Sequence, residues 1–364
     1  MADLFDYLDW RGDLTFDTVG VGPADGLIFS ALSYIHYDGL VNGGFINPVP
    51  LEVVADAFAA LPDREERVLL RQDAPLLMAA AATERYRNVR MVFYNSATVP
   101  EQESQFAAVA FLLPDDTAVL AFRGTDATLV GWKEDFNMSF QDRIPAQEKA
   151  LYYTQSFAQS FPQKLILCGH SKGGNLAVYA ASRCPAQVQD RILAVYNNDG
   201  PGFTSSLMGD PGYRAMVPKI RSFVPQSSIV GMLMEHEEPY TVIKSRQVSI
   251  LQHDLYSWEV MGSSFVPTGG VSEDSRLVNQ TVKTWLEQKT PAERNAFVDA
   301  VFELLGTGEV DSAREIMMPW NIWNYLRTLN EDDEMRRVIG RGLSDLVRMA
   351  VDLRRQADVP ALRE

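Results

Sequence analysis

The stretch Leu165-Ile166-Leu167-Cys168-Gly169-His170-Ser171-Lys172-Gly173-Gly174 decides the fold. Its four leading apolar residues predict a buried strand, and residues 173–183 predict the helix that follows. The turn between them matches G-x-S-x-G, the nucleophile elbow, in which a serine occupies a sharp and strained bend. The residues two positions either side of that serine must be small, as Gly169 and Gly173 are. The stretch therefore predicts Ser171 as a nucleophile. A phosphate-binding turn is disfavoured, because neither G-x-G-x-x-G nor G-x-x-x-x-G-K is present.

Outward from the elbow, helical and strand-like segments follow an order typical of an α/β protein. The turn signal Pro114-Asp115-Asp116 separates two strand-like runs and predicts an antiparallel start to the sheet. Strand–helix alternation after it predicts a mainly parallel sheet. The predicted helices cover residues 24–37, 50–61, 74–82 and 146–160, and the predicted strands cover 89–94, 106–113, 118–122, 165–168, 192–196, 220–224 and 240–243.

The predicted domain organisation is one hydrolase domain with a helical extension. The domain covers residues 1–267 and consists of a helical N-terminal part (1–84) and a catalytic core (85–265). Thr268-Gly269-Gly270 is the predicted linker. The extension covers residues 271–364, where Thr290 and Glu293 form the pattern of a helix capping box.

A serine hydroxyl needs a general base, most often histidine, and the chain contains only His36, His170, His236 and His253. His170 belongs to the elbow, and His36 precedes the sheet. The chain order in this fold is serine, then acid, then histidine, which leaves His236 and His253. His253 follows the strand-like run 248–251, whereas His236 lies in an acidic stretch typical of a solvated loop. We therefore predict His253 as the base, with His236 as the alternative.

Two segments of the chain resemble class 3, or fungal-type, lipases. Ala121-Phe122-Arg123-Gly124-Thr125, followed by Trp132 and Asp135, is similar to their F-R-G-T segment, and Gly169-His170-Ser171 with Gly173 is similar to their elbow. The resemblance covers residues 85–265. It extends to the N-terminus for an uncharacterised bacterial branch of lipase-like proteins, which shares the Ser-Lys-Gly-Gly-Asn elbow. The resemblance implies an α/β-hydrolase fold: a mainly parallel central sheet flanked by helices.

The resemblance also implies the two donors of an oxyanion hole. Thr125 would supply its backbone N–H and its hydroxyl, and Lys172 would supply its backbone N–H. Many lipases have an apolar residue where this chain has Lys172. The charge of Lys172 either favours an anionic substrate or is simply solvated, and the sequence leaves both interpretations open.

The acid of the triad departs from the lipase pattern. Class 3 lipases place it in an N-D-x-V-P stretch, but the matching residues 226–231 contain no carboxylate. Asp199 ends a predicted strand, and some α/β-hydrolases carry the acid at that point, so Asp199 is the predicted acid. Asp210 and Asp254 are the alternatives, although Asp254 adjoins His253 in sequence and is poorly placed to accept from its ring. Asp199 can also be read as a turn residue before glycine.

Residues 203–240 interrupt the core and are rich in large apolar side chains. These side chains either line an acyl pocket or lid, or belong to the core. They are Leu207, Met208, Met216, Met232, Leu233 and Met234.

The predicted function is that of a serine esterase or lipase-like hydrolase acting on a small acyl ester or lipid-like substrate. The predicted triad is Ser171, His253 and Asp199, and no cofactor or metal is required. An acyltransferase or thioesterase using the same site, a catalytically silent binding protein and an assembly module are the alternatives.

Composition limits the partners and the location that can be expected for the protein. Hydrophobic residues make up 46% and charged residues 22% of the chain, which is ordinary for a globular protein. The net charge of -15 disfavours nucleic acid and anionic membranes as partners.

The two cysteines, Cys168 and Cys184, are too few for a disulfide framework, and Cys168 is predicted to be a buried thiol. Neither a signal peptide nor a membrane-spanning run is found, so a cytoplasmic location is expected. The oligomeric state stays open.

Overall fold

A central sheet carries the fold, and its strands follow one another in space as they do in sequence. The computed structural model describes residues 1–99, 101, 104–126, 129–138, 141, 143–306 and 319–357. Within those ranges the sheet has eight strands: β1 (Val49–Pro50), β2 (Arg90–Val99), β3 (Ser104–Leu112), β4 (Thr117–Phe122), β5 (Lys164–His170), β6 (Ile192–Asn198), β7 (Ile220–Pro225) and β8 (Tyr240–Ile243). A separate two-stranded sheet pairs β9 (Val260–Met261) with β10 (Ser264–Phe265).

The direction of pairing changes at β4. Strands β1 to β4 are antiparallel, and β4 to β8 are parallel. The antiparallel half includes a hairpin between β3 and β4, in which Asp116 adopts a positive φ of 62°. The parallel half needs a crossover between each pair of strands. The predicted α/β-hydrolase fold, with a mainly parallel sheet between helices, is confirmed.

Helices cover both faces of the sheet. The N-terminal helices are α1 (Leu4–Arg11), α2 (Pro23–Leu32), α3 (Leu51–Ala59) and α4 (Asp73–Ala81). The helices of the middle section are α5 (Leu129–Met138), α6 (Pro145–Ser160), α7 (Lys172–Arg183), α8 (Ala186–Gln189), α9 (Ser205–Met208) and α10 (Pro211–Met216). Strand residues alternate between two hydrophobic clusters: Ile166 packs with the N-terminal helices, whereas Leu165 and Leu167 pack with α6 and α7. Cys168 and Cys184 are free and buried.

The C-terminal part is helical, as predicted. Its helices are α11 (Glu273–Gln288), α12 (Pro291–Gly306), α13 (Pro319–Glu331) and α14 (Asp333–Ala357). The predicted capping box is confirmed: the backbone N–H of Thr290 donates to Glu293 Oε2 (2.9 Å), and the N–H of Glu293 donates to Thr290 Oγ1 (3.3 Å). Over the residues described, the helices include none with the length and hydrophobicity that crossing a bilayer requires.

Two segments rich in apolar residues, 248–251 and 203–240, were open to different structural predictions. Residues 248–251 were predicted as a strand, but Ser249–His253 forms a short 3-10 helix with Val248 as its capping residue. Their apolar side chains are exposed rather than buried, and Ser249 has a positive φ of 51°, which ends extended pairing. Within the candidate lid 203–240, Leu207, Met208 and Met216 are buried in the core cluster that α6 and α7 share. These three side chains therefore serve the core interpretation.

Candidate active site

Ser171 lies at the bend between β5 and α7. Its backbone has φ 57° and ψ -134°, a left-handed conformation that costs energy for a residue with a side chain. Close approach of neighbouring backbone requires the two glycines. A Cβ on Gly169 would lie 2.1 Å from the carbonyl carbon of Gly173, and one on Gly173 would lie 2.1 Å from the carbonyl oxygen of Phe122. The elbow is therefore built from backbone contacts that only glycine permits.

Parallel pairing brings the candidate residues to one edge of the sheet. In the register, Phe122 pairs with Gly169, His170 with Asn198, and Asn198 with Phe223. The strands β4, β5 and β6 therefore end side by side, and the chain then continues into Thr125, Ser171 and Asp199. The backbone N–H of Ser171 donates to the Asn198 carbonyl at 2.9 Å, and that of Asp199 donates to the Phe223 carbonyl at 2.8 Å. This edge is where α/β sheets place their ligand sites.

Asp199 and His253 form a hydrogen-bonded pair. His253 Nδ1 lies 2.7 Å from Asp199 Oδ2, the Asp199 side chain is fully buried, and the His253 side chain is 28% exposed. An ionised carboxylate only accepts, so Nδ1 carries the proton and Nε2 is the basic nitrogen whenever His253 is neutral. The pair thus has the tautomer that a general base requires.

The alternative acids are engaged elsewhere. Asp210 caps α10 through the backbone N–H of Gly212 (2.8 Å) and pairs with Arg183. Asp254 accepts from the backbone N–H of Tyr256 at 3.0 Å, and burial raises its pKa. Of the three candidate acids, the structure brings only Asp199 to the His253 ring.

The alternative base, His236, is occupied by a different carboxylate. Its Nδ1 lies 3.2 Å from Glu238 Oε1, and Glu238 also accepts from the Tyr213 and Ser222 hydroxyls. His36 lies 3.2 Å from an Arg123 nitrogen through its Nε2. In the part of the chain that the structure describes, neither ring is hydrogen-bonded to Ser171.

His170 contacts His253 through both its ring and a hydrogen bond to the backbone. Its Nε2 lies 2.8 Å from the backbone carbonyl of His253, its Nδ1 lies 3.0 Å from the Tyr34 hydroxyl, and the two imidazole centroids are 4.6 Å apart. A carbonyl oxygen only accepts, so Nε2 of His170 donates and Nδ1 accepts from Tyr34. Burial, with the nearby His253 as a smaller cause, holds the pKa of His170 well below its usual value. His170 is therefore a neutral support for the His253 backbone.

Ser171 and His253 are not hydrogen-bonded to each other in this structure. Among the described residues, the Ser171 hydroxyl has no hydrogen-bond partner, and neither has Nε2 of His253. The Ser171 residue is 8% exposed, so its packing is close to complete. Catalytic hydrogen bonds are often long in unliganded sites and tighten when substrate binds.

Of the expected oxyanion donors, the Thr125 hydroxyl is engaged elsewhere in the structure. The Thr125 hydroxyl donates to Asp135 Oδ2 at 2.5 Å, so its proton is directed away from an oxyanion. The expected hydroxyl contribution is therefore wrong for this arrangement. Lys172 is the first residue of α7, where helix geometry leaves the backbone N–H without an acceptor. In the described chain, the backbone N–H groups of Thr125 and Lys172 both have no acceptor. The side chain of Trp132 lies outside the described residues.

The position of the Lys172 side chain contradicts both predictions for it, namely that its charge favours an anionic substrate or is simply solvated. Its ammonium group is buried and lies 2.9 Å from Glu134 Oε2, so it neither faces solvent nor is open to an anionic substrate. Glu134 also accepts from the backbone N–H groups of Gln105 (3.0 Å) and Ala146 (3.1 Å). A buried charge needs a partner and hydrogen bonds, and Glu134 supplies both. Sequence reasoning missed Glu134, because no local pattern links it to Lys172.

Ser228 was missed as well. Its hydroxyl donates to Asp199 Oδ1, the carboxylate oxygen that does not face His253. Ser228 belongs to the stretch 226–231, where the lipase pattern directed attention to a carboxylate. Instead of a carboxylate, that stretch contributes a hydrogen-bond donor to Asp199, which follows strand β6.

The eight-stranded, mostly parallel sheet flanked by helices defines a protein of the α/β-hydrolase fold. The chain belongs to the Mbeg1-like family, whose model matches residues 80–303. A comparison with curated proteins gives no match.

Three solved structures are similar to this chain at low sequence identity. A single-residue mutant of MDLA from Penicillium cyclopium is 13% identical, with 66% of this chain and 82% of that chain covered and a TM-score of 0.39. A structure described as a fungal lipase is 12% identical, with coverages of 68% and 84% and a TM-score of 0.40. The propeptide complex of Rhizomucor miehei lipase is 14% identical, with coverages of 59% and 79% and a TM-score of 0.36.

Proposed function

We propose that this chain is a serine hydrolase that cleaves carboxylic esters through an acyl-enzyme. The observation that carries the proposal is the buried Asp199 paired with the His253 ring at the sheet edge where Ser171 occupies its strained bend. A strained serine, an oriented imidazole and two unoccupied N–H groups are the components that acyl transfer needs. The proposal covers the roles of Ser171, His253 and Asp199.

In the first half of the reaction, Ser171 Oγ attacks the ester carbonyl carbon while His253 Nε2 takes the hydroxyl proton. The carbonyl electrons move onto oxygen, and the backbone N–H groups of Thr125 and Lys172 stabilise that charge. The bond to the alcohol oxygen then breaks, and His253 gives its proton to the leaving alcohol. Asp199 holds the ring and stabilises the imidazolium without taking the proton.

In the second half, water attacks the acyl-enzyme. His253 takes a proton from the water as its oxygen bonds to the acyl carbon, and the tetrahedral intermediate forms again on the same donors. The bond to Ser171 Oγ breaks, and His253 returns the proton to that oxygen. The carboxylic acid leaves, and the site is restored.

The surroundings of His253 favour an apolar acyl group. Val248, Ile250 and Leu251 precede it by two to five positions, and their exposed fractions are 70%, 57% and 59%. Apolar side chains exposed beside a reactive group are typical of a surface that meets an apolar ligand. We therefore propose an acyl ester or lipid-like substrate. A cytoplasmic location and the narrower bacterial kinship stay predictions of the sequence.

The test is a rate comparison on p-nitrophenyl esters from acetate to palmitate. Wild type is expected to turn over the esters, and Ser171→Ala is expected to lose at least about 10⁴-fold in kcat. Equal rates for the two proteins would refute the proposal. Added alcohol or thioester donors separate the related activities, because an acyltransferase forms a new ester faster than the free acid.

A further inference from the structure

A single loop, residues 226–231 after β7, contacts Asp199 and Gln252, the residue that precedes His253. Its Ser228 hydroxyl donates to Asp199 Oδ1, while Asp199 Oδ2 faces His253 Nδ1 at 2.7 Å. In the described chain these are the two side-chain donors to the Asp199 carboxylate, which is fully buried. The orientation of the carboxylate is therefore shared between the histidine and a serine.

The Ser228 hydroxyl is itself held in place. It accepts from the backbone N–H of Gly231 at 3.0 Å, which directs its own proton towards Asp199. The turn can close this tightly only because residue 231 is glycine. A Cβ there would lie 2.2 Å from Asp199 Oδ1.

The same loop reaches the other side of the pair. The backbone N–H of Ser227 donates to Gln252 Oε1 at 2.7 Å, and Gln252 Nε2 donates to the Gln247 carbonyl at 3.0 Å. Gln252 is the residue before His253. The loop thus fixes the chain that carries the histidine as well as the side chain that orients it.

The C-terminal extension holds the loop from outside. Helix α11 begins next to the loop. The backbone N–H of its capping residue, Ser272, donates to the Gln226 carbonyl at 2.7 Å. The buried Ser275 hydroxyl donates to the Ser228 carbonyl. The loop carbonyls of Gln226 and Ser228 therefore both accept hydrogen bonds from the start of α11.

We infer that Ser228 is a positioning residue for Asp199 and that α11, through Ser275, holds Ser228 in place. The C-terminal helical extension then acts as part of the catalytic framework. This inference rests on the proposed function, in which the Asp199–His253 pair orients the base. Loss of the Ser228 hydroxyl would leave a buried carboxylate oxygen without a donor and free the carboxylate to rotate.

The test compares kcat and KM of the full chain and its variants on one p-nitrophenyl ester, well below the unfolding temperature. Ser228→Ala is expected to lower kcat by about 10- to 100-fold with KM within about twofold, as for the loss of a hydrogen bond to a charged group. Ser275→Ala is expected to lower kcat by about three- to tenfold. Ser182→Ala removes an equally buried hydroxyl, bonded to the Val178 carbonyl at 2.7 Å, and is expected to keep the wild-type kcat.

A second readout does not depend on turnover. The Nδ1 proton shared by His253 and Asp199 is expected to give a downfield proton NMR signal in wild type that weakens in Ser228→Ala. Ser228→Cys, which keeps the volume but donates weakly, is expected to lie between the two and serves if the alanine variant does not fold.

The outcomes separate the two proposals. A wild-type protein with the downfield signal but no ester turnover would refute the proposed function alone. An active wild type whose kcat and signal are unchanged by Ser228→Ala would overturn the inference. An equal loss of kcat in Ser182→Ala would also overturn it, because the effect would then be general destabilisation.

Discussion

Nδ1 of His253 lies 2.7 Å from Oδ2 of Asp199, although 54 positions separate the two residues in sequence. Asp199 follows β6 with a positive φ of 53°, and His253 ends a short 3-10 helix beyond β8. A non-glycine residue in the left-handed region persists only where its surroundings hold it. The hydrogen bonds of Asp199 to His253 and Ser228 are such surroundings, and they connect three loops at one edge of the sheet.

Replacing Asp199 by Asn should abolish most of the activity. An amide in that place can donate to Nδ1, which selects the wrong tautomer of His253 and leaves Nε2 protonated. The expected loss in kcat is about 10⁴-fold on a p-nitrophenyl ester.

The matched control is Asp254→Asn, the neighbouring carboxylate that accepts from the Tyr256 backbone. Its kcat should stay within about threefold of wild type, because the amide oxygen of asparagine can still accept the hydrogen bond from the Tyr256 N–H. A large loss in Asp254→Asn together with a small loss in Asp199→Asn would reverse the assignment.

The elbow should tolerate no side chain at residue 173. Gly173→Ala would place a Cβ 2.1 Å from the Phe122 carbonyl oxygen and 2.9 Å from the Arg123 carbonyl carbon, both of them backbone. Overpacking against rigid backbone exceeds the usual cost of about 1–3 kcal/mol, so this variant should lose soluble expression or cooperative unfolding.

Gly209→Ala is the control for that variant, because a Cβ on Gly209 meets nothing within 4 Å. It should unfold at the wild-type temperature. Thermal unfolding followed by circular dichroism measures both variants, and a stable Gly173→Ala protein would contradict the elbow geometry.

The buried Lys172–Glu134 pair should behave as a unit in unfolding. Lys172→Met leaves the Glu134 carboxylate buried without its cation, which should lower the free energy of unfolding by about 3–5 kcal/mol. The double variant Lys172→Met with Glu134→Gln should cost less than the sum of the single variants, because the uncompensated charge is gone. Urea denaturation measures the coupling, and strict additivity would show that the pair does not interact.

Asp73 should make stability depend on pH. Burial raises its pKa from 3.8 to about 6, against the opposing hydrogen bonds from the Leu70 backbone and the Tyr256 hydroxyl. Between pH 4 and 6 the folded chain therefore holds a proton that the unfolded chain has lost. The contribution of Asp73 to stability falls as pH rises through that window, by about 3 kcal/mol in total.

Comparison with Asp73→Asn isolates this effect, since the amide does not titrate. The unfolding free energy of wild type relative to Asp73→Asn should fall between pH 4 and 7. A difference that is constant across that range, or rises with pH, would show that the Asp73 carboxyl is not protonated in the folded protein.

Local signals made the fold and the sharp bend at Ser171 predictable. The strand, turn and helix around Ser171 are contiguous in sequence, and the change from antiparallel to parallel pairing follows from a short turn and from longer crossovers. Asp199 and His253 were predicted from chain order and strand ends, and the structure brings these two side chains together.

Contacts between distant segments escaped prediction. Glu134 lies 38 positions before Lys172, and Ser228 lies 29 positions after Asp199, so no periodic pattern connects either pair. The run 248–251 was predicted as a strand because apolar residues are usually buried, whereas here they are exposed beside His253. Hydrophobicity alone does not distinguish an apolar run that is buried in the core from one that lies exposed at the surface.

The reactivity of Ser171 is the central claim, and a fluorophosphonate probe measures it without knowledge of the substrate. The probe phosphorus should bond to Ser171 Oγ with loss of fluoride, and mass spectrometry of the digested protein should place the added mass on the peptide containing Ser171. Ser171→Ala should not be labelled, and His253→Ala should be labelled far more slowly. A wild-type protein that stays unlabelled, or is labelled equally after the Ser171→Ala substitution, would contradict the account.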